Sequence, residues 1–195
     1  VPEPFLVMAT QNPIETEGTY PLPEAQVDRF MMKVDVGYPS EEEEFVIVER
    51  VTGTPVDVSA VCSTDALRDA QRECRKGYVD PSLMHYAVRL VSATRQPARY
   101  GLADLGKYLT FGASPRATIH LVEGARALAF LRGRDYALPE DIADLAPDVI
   151  RHRLSLSYEA QADGISADRI VHRVLQSVRA PDKPLQGHVD VNASA

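Results

Sequence analysis

Apolar residues in this chain follow two patterns. Before residue 40 they come as short runs, FLVMA at 5–9 and MMKVDV at 31–36. Each run is bounded by turn-forming residues, with prolines and TQNP around the first and Gly37 and Pro39 after the second. Such runs read as strands covered on both faces, as in a parallel α/β sheet. The loop between them carries Gly18, Pro21 and Pro23, and residues 24–30 then predict about two turns of helix.

After Pro39 the spacing becomes helical. Ser40 with Glu43 forms a capping box, and the acidic residues of the first turn suit the positive end of the helix dipole. This helix should run to about Val51 and stop before Gly53. Residues 64–76 place Leu67, Ala70 and Cys74 on one face. Asp80 and Pro81 open a helix whose stripe is Leu83, Tyr86, Ala87, Leu90, Val91 and Thr94. Ser114 and Pro115 open the longest helix, with Leu121, Val122, Ala125, Leu128 and Ala129 inward. Another begins at Pro139, and Pro147 should kink or split it. Residues 154–158 alternate as a short extended arm. Ser166 caps a last helix with Ile170, Val171, Val174, Leu175 and Val178 on one side, and the tail after Pro181 reads as polar and disordered. The expected fold is mainly α, a helical domain over residues 40–180 joined to a two-strand remnant of a parallel α/β core over residues 1–39, with a tail at 181–195. The opening, with no Met and with Pro2 and Pro4 against a buried-type strand, reads as a boundary inside a longer protein.

Composition narrows the class. The 195 residues are 45% hydrophobic and 25% charged, ordinary for a globular chain. A net charge of -7 repels phosphate backbones and disfavours nucleic acid as the main partner. No run of eighteen apolar residues suggests a transmembrane helix. Cys62 and Cys74 lack metal-ligand spacing and read as reduced thiols in a cytoplasmic protein, and the scattered histidines suggest no metal cluster.

Three polar side chains carry candidate chemistry. Asn12 follows the first apolar run, and the carboxyl end of a parallel strand is where α/β folds bind ligands. An amide there can hold a water in line with a terminal phosphate, but Asn12–Pro13 is also an ordinary turn initiator. Arg29 ends the short helical segment; its planar guanidinium can pair with phosphate oxygens, or form a surface salt bridge to Asp28 or Glu24. Arg116 falls at the second position of a helix, where a cation opposes the dipole. A nearby anion such as a nucleotide phosphate explains that placement, and so does a paired surface arginine.

The stretch TQNPIETEGTYPLPEAQVDRF, residues 10–30, resembles the sensor-1 and arginine-finger region of AAA+ ATPases of the MoxR family. GASPRA at 112–117 resembles that family's sensor-2 motif, and LRGRDYALPEDIADLAPDVIRHRL at 131–154 resembles its lid domain. The resemblance covers roughly residues 4–40 and 108–179. It implies that Asn12 is the sensor-1 residue, Arg29 the arginine finger reaching a neighbouring subunit's nucleotide, and Arg116 the nucleotide-binding sensor 2. It also implies ATP and Mg²⁺, a homo-oligomeric, hexameric ring, chaperone-like work on client proteins and a von Willebrand A domain partner. The basic cluster RHR at 151–153 serves contacts or is a solvated helix end.

Two near-motifs fail. GLADLGKY at 101–108 approaches the phosphate-loop pattern, but Tyr108 replaces the Ser/Thr whose hydroxyl reaches Mg²⁺, and no buried strand precedes it. VIVE at 46–49 mimics the Walker B strand but lies inside a capped helix. With neither Walker motif present, these residues alone should not hydrolyse ATP. They should also leave the two apolar strands with unpaired edges, because the strand between them in an AAA+ core is missing. The competing readings are a non-enzymatic helical interaction module and the motor subunit of a chelatase-type complex; a helicase-type ring fits the acidic charge poorly.

Overall fold

A computed structural model describes residues 3–11, 22–55 and 57–182. Asn12 and the tail from residue 183 lie outside the described residues.

Six of the eight described α-helices begin where the residue before them accepts a first-turn amide with its side chain. Helix α1 is one turn, Glu24–Val27. Helix α2, Glu41–Thr52, carries the expected capping box: Ser40 N–H donates to Glu43 at 2.9 Å and Glu43 N–H to Ser40 Oγ at 3.3 Å. Then come α3, Thr64–Lys76, and α4, Pro81–Arg95, capped by Asp80. Helix α5, Pro115–Leu131, is capped by Ser114, and α6 runs Pro139–Ile150 without splitting at Pro147. The short α7, Tyr158–Ala162, and the Ser166-capped α8, Ala167–Ser177, close the order.

The fold is mainly α, as the helical periodicity requires. Helix α5 packs against α4 and α6, and α8 closes over α4 and α6. Their facing positions, among them Leu83, Leu90, Leu121, Ile142, Val149 and Ile170, are fully buried. The carboxylate of Asp141 is also fully buried, and it is held by Arg132, Arg134 and the amide of Leu138. The extended arm appears as β2, Ser155–Leu156, which pairs antiparallel with β1, Leu109–Phe111. That is the one sheet among the described residues, and the apolar pattern does not announce β1.

The two apolar runs depart from expectation. Neither residues 5–9 nor residues 31–36 form a strand: residues 5–9 and 32–36 carry no regular structure, and residue 31 lies in a bend. A strand needs a neighbour for its amides and carbonyls, and none lies beside these among the described residues. Phe5, Leu6, Val7 and Met8 are exposed, as are Val34 and Val36. The expectation was of unpaired edges, not of a ladder lost on both sides. The second run is fastened by other means. Lys33 N–H donates to Asp148 O at 2.8 Å, and Arg151 Nη1 donates to Lys33 O at 3.0 Å. The side chains of Met31 and Met32 approach α5 at Gly124, where an added Cβ would lie 3.4 and 3.5 Å from their methyls and 3.0 Å from Leu145 Cδ1.

Candidate functional site

Three segments far apart in the chain converge on Asp28. The first is the turn after α1. The predicted two turns of helix shorten to one, because the carbonyls of Asp28 and Phe30 face Arg153 rather than continuing the helical ladder. The second is the start of α5. Gly112 runs so close to α4 that an added Cβ would lie 2.4 Å from Thr94 O. Thr94 Oγ1, itself buried, donates to Val91 O at 2.7 Å and accepts from Ala113 N–H at 3.0 Å. This seat delivers Ser114, Pro115 and Arg116 at a fixed point. The third is the turn after α6, where the Arg153 side chain is 1% exposed.

Asp28 Oδ1 accepts from Ser114 Oγ at 2.8 Å and from Arg153 Nε at 3.0 Å. Its Oδ2 accepts from Arg116 Nη1 at 2.8 Å. Ser114 Oγ also accepts from Arg116 N–H at 3.2 Å, so one hydroxyl caps α5 and holds the carboxylate. Burial alone would raise the Asp28 carboxyl, but the bonds from Ser114, Arg116 and Arg153 outweigh it and hold the group below the usual carboxylate range. The anion expected beside Arg116 is therefore supplied, in this structure, by Asp28.

Arg153 spends its remaining donors on backbone. Nη2 donates to Asp28 O at 3.0 Å and Phe30 O at 2.5 Å, and Nη1 donates to Met31 O at 3.3 Å and to Val149 O. Nη2 also lies 2.7 Å from His120 Nδ1. A guanidinium can only donate, so His120 Nδ1 accepts and carries no proton. Burial, then the Arg153 charge, pushes His120 down. His152 Nε2 lies 3.2 Å from Phe30 O, so that nitrogen carries the proton, and burial followed by Arg153 pushes His152 down to about 4. Both imidazoles are neutral near pH 7. The solvated-helix-end reading of residues 151–153 is thus overturned: Arg153 is a buried tether, and Arg151 pairs with Asp148 and Asp168.

Arg29 differs from every arginine around it. It is exposed, and its side chain has no partner among the described residues. The salt bridges expected of it do not form. Asp28 is committed to Ser114, Arg116 and Arg153, and Glu24 accepts from Ser155 Oγ at 2.8 Å. Beside Asp28 opens a cleft of about 200 Å³ lined by Glu24, Phe111, Ser114, His152 and Arg153. The near-motif at 101–108 is no phosphate cradle: Ala103–Tyr108 is a 3₁₀ turn, and Lys107 Nζ sits 3.3 Å from Asp163.

The structure thus brings Arg116 together with Asp28 and leaves Arg29 one residue away, turned to solvent. Sequence reasoning missed Asp28 and Arg153 as members. Asp28 lies 88 residues from Arg116 and 125 from Arg153, and no local spacing joins them.

Residues 105–174 match the AAA lid domain, and residues 1–32 match the ATPase family associated with various cellular activities (AAA). Chaperone MoxR1 of Mycobacterium tuberculosis is 50% identical over 191 residues, 96% of this chain and 51% of that protein. The chain belongs to the MoxR family of AAA+ ATPases. The uncharacterized protein YeaC of Bacillus subtilis is 41% identical over 181 residues, 92% of this chain and 54% of its own length. The crystal structure of a putative ATPase from Cytophaga hutchinsonii superposes with a TM-score of 0.88 at 46% identity, covering 93% of this chain and 56% of that one. The chain therefore spans about half the length of the curated relatives it matches. The lid match covers α5 to α7 and most of α8. No described helix is long and apolar enough to cross a membrane.

Proposed function

We propose that this chain forms the sensor and lid part of a MoxR-type, ATP-hydrolysing ring that remodels client proteins in the cytoplasm. In this reading residues 1–39 belong to the α/β core and residues 40–180 to the lid. Arg116 contacts the phosphates of a bound nucleotide. Arg29 reaches the nucleotide of the next subunit, and Asn12 holds the attacking water. Mg²⁺ and the phosphate cradle are supplied by residues other than these, and a von Willebrand A domain protein is the expected partner.

One observation carries the reading. Among the clustered arginines, Arg29 alone keeps an exposed guanidinium without a partner among the described residues, while both nearby carboxylates are occupied. A cation left free beside a satisfied network is suited to an anion from outside the subunit. The residues also fit a nucleotide at Arg116, since it already holds an anionic oxygen at 2.8 Å and is half exposed.

The test is subunit mixing in the full-length protein. Arg29→Ala rings should lose turnover by on the order of 10³, the loss typical of a missing finger. Mixed with subunits altered in the phosphate loop, they should regain part of it, since each supplies what the other lacks. Absence of rescue in rings shown to be mixed overturns the intersubunit role. The 195-residue chain by itself should show no turnover.

A further inference from the structure

Asp28 does something that the proposed roles of Arg29 and Arg116 leave unexplained. Its two oxygens are used differently. Oδ1 is bound on the inner side, by Ser114 Oγ and by Arg153, whose side chain is 1% exposed. Oδ2 faces Arg116, whose side chain is 50% exposed. The inner side is anchored, and the outer side meets one guanidinium.

Arg116 is bound there by one edge. Nη1 donates to Oδ2, while Nε and Nη2 have no partner among the described residues. A guanidinium is a planar fork, and holding one edge fixes the direction of the other. The main chain is fixed as well, because Arg116 N–H is bound by the same Ser114 hydroxyl that binds Asp28. Two cations, Arg116 and Arg153, face one carboxylate, and the adjacent His120 and His152 are neutral. The trio therefore keeps a surplus positive charge, and an incoming phosphate need not displace Asp28 to be attracted.

We propose that Asp28 is a positioning residue for phosphate recognition: it holds the Nη1 edge of Arg116 so that the Nε–Nη2 edge is presented to the nucleotide. This rests on the reading of Arg116 as a nucleotide contact. The side chain of Asp28 does not touch the nucleotide. Its effect passes through Arg116, and Arg29, the next residue, shares its backbone anchorage to Arg153.

Asp28→Asn tests this in the full-length protein. Asparagine keeps the size and one acceptor for Ser114 and Arg153, but it loses the charge and turns an amide donor toward Arg116. ATP binding, measured by equilibrium titration, should weaken by about threefold to fivefold, the range set by a half-exposed ion pair. Asp28→Glu, which retains the charge, should recover most of that loss. In an Arg116→Ala background Asp28→Asn should cost nothing further, because the edge it aims is gone. The ATP-induced rise in Tm reads the same binding in whatever fraction is folded. Additive losses in the double variant, unchanged affinity, or tighter binding in Asp28→Asn each overturn the proposal; the last identifies Asp28 as a competitor of phosphate. If Arg116→Ala alone leaves affinity unchanged, the failure lies in the reading of Arg116 instead.

Discussion

Helices α2 and α4 are both well formed, yet they stand in opposite surroundings. Helix α2 has a complete capping box and an acidic first turn, and no residue of it is buried. Its Phe45, Ile47 and Val51 are 68%, 49% and 78% exposed. Helix α4 has a comparable start at Asp80 and Pro81, and seven of its residues are buried. The contrast extends to the two regions around them. No described residue before Val79 is buried, whereas Val79 to Val178 holds the whole described core. Caps and dipoles make a helix; they contribute about 1 kcal/mol each and do not place it. Placement needs an apolar partner, and among the described residues only the region from Val79 to Val178 contains its own.

The comparison can be broken most directly in the core. Leu121→Ala in α5, at a fully buried position, should destabilise the chain by about 3 kcal/mol in urea unfolding. A cost below about 1 kcal/mol would mean that the region from Val79 to Val178 is not the stable unit.

A second measurement addresses the junction of the two regions. His152 titrates near its ordinary value in the unfolded chain and at about 4 when folded. Above pH 6.5 both states hold it neutral and its contribution is complete. As pH falls from there toward 4 the unfolded state takes up a proton that the folded state refuses, so stability declines through that window. His152→Gln keeps a donor for Phe30 O and should flatten the Tm profile over the same range. Asp28, with its lowered carboxyl, adds a further loss at more acid pH.

The smallest effect is expected in the first region. Phe45→Ala should change the stability of this chain by less than about 0.5 kcal/mol. A larger cost in the full-length protein than in this chain would mark α2 as a face covered by residues outside the match.

What can be read from the sequence follows the same division. The caps at Ser40, Asp80, Ser114 and Ser166 and the stripe from Leu83 to Thr94 are legible, because they depend on neighbours within one or two turns. The strands expected at 5–9 and 31–36 do not form, because an apolar run specifies burial and not the partner that provides it. The α7 turn and β1 are too short to show a period. In the candidate site, Arg116 is legible from a helix start that is unfavourable for a cation. The Asp28 and Arg153 contacts are not, since they exist only once α5 and the turn after α6 have met. Asn12 lies outside the described residues, and its role stays a proposal.

Arg153 grips carbonyl oxygens at Asp28, Phe30 and Met31. Every amino acid offers the same oxygen. The grip itself therefore places no demand on which side chains stand at positions 30 and 31 over evolutionary time; at 31 the packing against α5 does. The arginine itself has no such latitude, since a lysine brings a single nitrogen where two arms of a fork are in use.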